Sequence, residues 1–151
     1  VIHNLEIQFY VVGGEETEIS SWYKRIVVPK EEIDYPKFVK WLRKNVHFTI
    51  GVAPLTPNLL NQSKSYLKYL DYAALGIPGV YSELEPYKKV ISSDFNGLLA
   101  KHSVKDWENH LKRLIMNPSL REEIIQNSYQ DIVNNHLLKE HTQKWLEIIS
   151  D

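Results

Sequence analysis

The sequence has no cysteine. Disulfides, thiolate metal ligands and cysteine nucleophiles are thereby excluded, and the composition fits a reducing compartment. It also has no excess of one charge sign: 18 lysines and arginines face 19 aspartates and glutamates, for a net charge of −1. No basic field therefore argues for a nucleic-acid partner or an anionic membrane. Long apolar runs are missing too. The longest, near Ile7 to Val12, is far too short to span a bilayer. Val1-Ile2-His3-Asn4 lacks the basic region and apolar block of a signal peptide. The chain opens on valine rather than methionine, so the expectation is a piece of something longer. No repeat or low-complexity tract appears. What remains is a globular composition, 43% hydrophobic and 25% charged over 151 residues, which by length is one domain able to bury a core.

Along the chain, Leu5 to Val12 alternates and then turns wholly apolar, as a strand does on entering a buried sheet, and Gly13-Gly14 ends it. Arg25 to Val28 reads as a second strand, and Asp34 as the N-cap of a helix over Pro36 to Asn45. Val46 to Ala53 is a third strand closed by Pro54, followed by a helix from about Gln62 to Leu75 that Gly76 stops. Gly79 to Ser82 is a fourth strand, Glu85 to Ile91 a short helix, and Gly97 to Ala100 a fifth strand. Helices over Lys105–Met116, Leu120–Asn134 and roughly Leu138–Ile149 complete the chain. Alternating strands and helices predict an α/β fold with a doubly wound parallel sheet, in which ligands bind at the C-terminal strand ends.

The helix after the third strand is the most informative segment. It begins among small polar residues, Ser63-Lys64-Ser65, where free N–H groups and the positive dipole end suit a phosphate. Lys64, Lys68 and Asp71 follow one face at i, i+4 and i+7, beside a buried stripe of Leu67, Leu70 and Ala74. At ~1.5 Å per residue, Asp71 lies roughly 10 Å beyond Lys64, comparable to the reach from a diphosphate to its ribose. The competing reading is a solvated face with a weak Lys68–Asp71 pair.

Other features are less pointed. Gly13-Gly14 suits either a close backbone approach to a ligand or a plain turn, and the three-glycine dinucleotide fingerprint is absent. The six histidines, among them His102, His110, His136 and His141, show no metal-ligand spacing. No Gly-x-Ser-x-Gly elbow supports a serine hydrolase. Asn61-Gln62-Ser63 matches a glycosylation sequon with nothing to indicate secretion. Trp22, Trp41, Trp107 and Trp145 read as helix-packing anchors.

Leu67 to Pro78 (Leu-Lys-Tyr-Leu-Asp-Tyr-Ala-Ala-Leu-Gly-Ile-Pro), then Tyr81-Ser82 and Asn96-Gly97-Leu98-Leu99, resemble the C-terminal domain of group 1 glycosyltransferases of the GT-B fold. The resemblance runs from Leu5 to the final helices. It implies a Rossmann-like half of a GT-B architecture, with the whole of 1–151 as one nucleotide-sugar-binding domain and a separate N-terminal domain for the acceptor. The family carries two glutamates eight positions apart. The second, which contacts the ribose, falls on Asp71, and the first, which touches the transferred sugar, falls on Ser63. Ser65-Tyr66 replaces the usual Phe-Gly, and Gly79 stands where a β-branched residue is usual. The resemblance places Gly13 and Gly14 at the glycine-rich turn, and Ser63, Lys64, Ser65 and Lys68 near the sugar and diphosphate.

The function this implies is transfer of a sugar, of hexosyl type, from a UDP- or GDP-sugar to a hydroxyl of a glycan or lipid-linked acceptor in cell-surface polysaccharide synthesis. No cofactor or metal is expected, and no catalytic residue is identified. The parent protein is expected to be cytoplasmic, with peripheral association at the inner membrane face, and this piece alone to be inactive. The alternative is a catalytically inactive nucleotide-binding or scaffold module of the same fold. A response-regulator-like or other flavodoxin-type signalling domain is a third reading; it needs an acidic cluster at the strand ends, for which Glu15-Glu16 is a poor substitute.

Overall fold

The computed structural model describes residues 6–14 and 22–137. They belong to two compact units, 1–46 and 47–151.

In the first unit β1 (Phe9–Val12) and β2 (Tyr23–Ile26) pair in parallel, with Phe9 opposite Tyr23 and Val12 opposite Ile26. Gly13 and Gly14 then turn left-handed, at φ 79° and 86°, a conformation that a Cβ penalises. Gly13 donates its N–H to the Ile26 carbonyl at 3.0 Å and closes the ladder. The second strand therefore covers 23–26 rather than 25–28: Val27 is left exposed, and Pro29 has no N–H with which to extend the pairing. A 3-10 turn (Lys30–Glu32) leads into α1 (Tyr35–Asn45), which starts after Asp34 with Pro36 in its first turn, although the Asp34 carboxylate makes no capping bond. The apolar run of β1 predicts burial, yet Phe9, Tyr10 and Val11 are exposed. Among the described residues β1 has only β2 as a neighbour in its sheet. Trp22, expected as a helix-packing anchor, packs edge-on against Phe9 and Tyr23 of the strands at 5.9 and 4.9 Å between ring centres.

In the second unit β3 (Gly51–Ala53), β4 (Gly79–Ser82) and β5 (Leu98–Ala100) form a parallel sheet in that order. β3 is shorter than the expected 46–53 because its partner begins late. Pro78 precedes β4, and the Gly51 N–H on the Pro78 carbonyl at 2.9 Å is the first rung. Val46 instead closes α1 by donating its N–H to Leu42. The helices are α2 (Leu59–Gln62), α3 (Leu67–Leu75), α4 (Glu85–Lys88), α5 (Val104–Met116) and α6 (Pro118–Asn135). Gly76 ends α3 in the left-handed conformation at φ 68°, as its position predicts. The expected helix over 138–149 lies outside the described residues.

β4 is buried throughout and feeds two cores, because successive side chains point to opposite faces. Val80 joins Leu98, Ala100, Leu114 and Ile124, with Trp107 against them. Tyr81 joins Ala53, Tyr69, Tyr87 and Ile91 on the other face. Parallel strands flanked by helices on both faces are the α/β architecture the element order predicts.

Three of the six glycines make this second core. Gly51 is opposite Gly79, and Gly97 lies one residue before Leu98, which is opposite Val80. Across the sheet they form a bare row on which rings rest. A Cβ on Gly79 would lie 2.3 Å from the Tyr81 ring, one on Gly51 would lie 2.5 Å from Tyr72, and one on Gly97 would lie 3.1 Å from Tyr81. The aromatic packing therefore rotates α3 from its expected face. Tyr69 and Ala73 are buried, whereas Leu67 is 40% exposed and Ala74 is exposed.

Candidate functional site

The helix expected over Gln62 to Leu75 is two helices. Asn58 caps α2, its side chain accepting the Asn61 N–H at 2.8 Å, so the helical segment starts three residues early. It then breaks at Ser63, whose hydroxyl donates to the Leu59 carbonyl at 3.0 Å while its N–H is shared between the Leu59 and Leu60 carbonyls. Serine bonding back to the preceding turn competes with helix propagation. α3 restarts at Leu67, with Tyr66 at the cap position.

This break moves the open N–H groups. The Ser63 N–H is occupied, and that of Lys64 reaches Asn61 at a long 3.4 Å. Ser65, Tyr66, Leu67 and Lys68 have N–H groups with no partner among the described residues. The open run is thus Ser65–Lys68 rather than Ser63–Ser65, at the strand end where α/β sheets take ligands. Lys64 and Lys68 flank it, both exposed. With a non-helical turn between them, they no longer share a helical face.

Asp71 lies one turn further along α3 and is buried at 5% exposure, which the expectation of an open carboxylate missed. Lys68 donates to it at 3.3 Å from the rim, the lysine side chain half exposed and the aspartate side chain 4% exposed. Burial of the surrounding phenols pushes the Tyr72 hydroxyl up to about 12, and Tyr81 well above its usual value. The Asp71 charge adds to both shifts. Beside the end of α2, a shallow cleft of about 200 Å³ is lined by Gln62, Glu83, Leu84, Glu85 and Lys88.

Gly13 and Gly14 belong to the first unit. Their turn is held from β2: Arg25 donates through Nε to the Gly13 carbonyl at 3.1 Å and through its terminal nitrogen to Gly14. The sequon asparagine Asn61 is buried, its amide donating to the Thr56 carbonyl and hydroxyl at 2.8 and 3.0 Å, so it offers nothing to a glycan. Among the described residues no group of three histidine or acidic side chains is placed to hold a metal ion. Glu15-Glu16 and Trp145 lie outside the described residues.

One arrangement had no sequence signal, since its members are up to 70 residues apart. Tyr69, fully buried, donates its hydroxyl to Asp131 on α6 and accepts from Asn96 Nδ2 at 2.9 Å. Asn96 also ties down its own loop, through the Val90 carbonyl and the Ser92 N–H. Asp131 Oδ2 lies 3.4 Å from His136 Nε2, and His136 Nδ1 lies 3.5 Å from the Tyr66 hydroxyl. Burial, followed by the Asp131 bond and charge, holds the Tyr69 phenol far above its usual range.

The family follows from a sequence match. A family model described as glycosyl transferase-like aligns with residues 1–147. The chain belongs to this glycosyl transferase-like family. The chain's fold is also similar to that of a solved structure, the C-terminal domain of a group 1 family glycosyl transferase, LpcC, from Francisella tularensis. The TM-score is 0.57 at 18% identity, and the match covers 78% of this chain and 55% of that solved chain. No curated protein matches the sequence. The family is the one that the Asp71-to-Pro78 and Asn96-to-Leu99 segments predict. No helix among the described residues of the domain is long and apolar enough to cross a membrane.

Proposed function

We propose that this chain is the donor-binding domain of a glycosyltransferase that moves a hexosyl group from a UDP- or GDP-sugar to a hydroxyl acceptor in cell-surface glycan synthesis. One observation carries the reading: four consecutive open N–H groups, Ser65 to Lys68, flanked by Lys64 and Lys68 with a carboxylate one turn beyond. Backbone donors and ammonium groups suit a diphosphate, and a carboxylate suits ribose hydroxyls. In this reading Lys68 swings from Asp71 to the phosphates, and Asp71 turns to the ribose. The cleft beside Gln62 offers carboxylates and an amide to the sugar hydroxyls. The protein's contribution to chemistry is electrostatic, stabilising the departing nucleoside diphosphate without a metal. The acceptor is held by a separate N-terminal domain of a parent protein at the cytoplasmic membrane face.

The test is calorimetric titration with UDP and GDP. Binding at micromolar to millimolar affinity is expected. Asp71→Asn keeps the volume and removes the charge, so it should weaken binding about tenfold while the melting temperature moves by only a few degrees. Absence of nucleotide binding by the unmodified chain overturns the assignment, and a collapse of the melting temperature in Asp71→Asn makes this carboxylate structural. Ser63 favours a second reading, an inactive binding module. It replaces the sugar-facing glutamate of the resemblance, and its hydroxyl is committed to Leu59. A parent protein that binds nucleotide sugar and neither transfers nor hydrolyses it would establish that module.

A further inference from the structure

We propose that His136 is a positioning residue for the turn that holds the diphosphate, acting through Tyr66; this rests on the nucleotide reading of Ser65 to Lys68. Tyr66 sits at the start of α3, its N–H in the middle of the open run, and its carbonyl accepts the first helical N–H groups, from Tyr69 and Leu70. Whatever fixes Tyr66 therefore fixes the direction in which those donors point. The side chain is fixed from α6. The imidazole of His136 packs edge-on against the Tyr66 ring with centres 5.4 Å apart, and also against Tyr69 at 6.2 Å. Its Nδ1 faces the Tyr66 hydroxyl.

The imidazole is itself oriented. Asp131 Oδ2 lies 3.4 Å from Nε2, which draws the ring proton to that nitrogen and leaves Nδ1 as an acceptor for the Tyr66 O–H. Asp131 cannot swing away. Its Oδ2 also takes the buried Tyr69 hydroxyl, and its Oδ1 takes the Asn135 amide at 2.8 Å. His136 closes α6, its N–H on the Ile132 carbonyl, so its backbone is anchored as well. A carboxylate, an imidazole and a phenol are thus chained from the end of one helix to the start of another. A loop turn between two serines needs such an outside support, because Ser65 and Tyr66 lie in no helix or strand. Pre-set donors bind an anion more tightly than donors that must be ordered at the moment of binding.

The experiment is a double-mutant cycle on the chain, with Tyr66→Phe, His136→Gln and both together. Binding of UDP and of inorganic pyrophosphate is measured by calorimetry, and unfolding by scanning calorimetry. Each single change should lower affinity for both probes about three- to tenfold, the size of one net hydrogen bond. The double variant should bind no more weakly than the worse single, because the two changes break one link. A merely structural clasp would lower the melting temperature and leave affinity, measured well below it, untouched. That result, or losses that simply add, overturns the role of His136 while the nucleotide reading stands. An unmodified chain that binds neither UDP, GDP nor pyrophosphate removes both.

Discussion

Gly79→Val is expected to destabilise the second unit by about 3 kcal/mol, at the upper end of core overpacking. For a chain of this length that lowers the melting temperature by roughly 6–12 °C. The new side chain would enter space that the Tyr81 ring fills, 2.3 Å from a Cβ at this position. The ring has nowhere to go. It is 1% exposed and hemmed in by Tyr69, Tyr72 and Tyr87, with ring centres 5.0 to 6.1 Å away. Gly97 and Ile91 lie at its back. The pair should also compensate. Tyr81→Ala alone leaves a cavity costing about 3–5 kcal/mol, but valine at 79 partly refills it. The double variant should therefore be more stable than the sum of the singles by at least about 1 kcal/mol. Thermal and urea unfolding of the four proteins decides the matter. A Gly79→Val protein that melts with the wild type, or strictly additive effects, would remove the ring-on-glycine account.

Raising the pH should unfold the second unit in one cooperative step between about pH 11 and 13. Tyr69, Tyr72, Tyr81 and Tyr87 all have phenols held above the usual value of 10.0, in each case chiefly by burial, which penalises the phenolate. The folded state binds those protons more tightly than the unfolded chain. The stability they contribute is complete below pH 10 and drains away as the pH climbs through the folded values, about 12 for Tyr72. Each retained proton steepens the loss by about 1.4 kcal/mol per pH unit, so four together remove about 5. A typical total of about 5–15 kcal/mol is then exhausted within one to three units. Phenolate absorbance and circular dichroism, followed together, provide the check. Four of the nine tyrosines should ionise only as the fold is lost. Ionisation of all nine before any change in dichroism would show that the rings are not packed as described.

Much of the architecture was legible in the residues. Pro36 places the start of α1, Gly76 stops α3, and Asn117-Pro118 separates α5 from α6, since each acts on backbone within a few residues of itself. The strands were found but not their bounds, because a ladder ends where its partner ends. Pro78 trims β3 from across the sheet, and the left-handed Gly13 stops β2 at Ile26, two residues before its expected end. The local geometry of the candidate stretch was not legible. Lys64, Lys68 and Asp71 were read on one continuous helix, yet Ser63 bonds backwards and interrupts it. Asn58, a capping residue after a proline, was the available sign that the first segment begins and ends early.

Local signals in the residues specify the class of fold and the family, and they single out Ser63 to Asp71 as the candidate stretch. Periodicity, proline, glycine and short motifs act over a few residues, and a few residues suffice to read them. The tertiary structure alone decided which N–H groups stay open, that Asp71 is buried beside Lys68, and that His136 meets Tyr66 across 70 positions. It also gave three glycines their reason. Gly51, Gly79 and Gly97 look like weak points in strands until the rings that lie on them are in place, because space is shared between residues that only folding brings together.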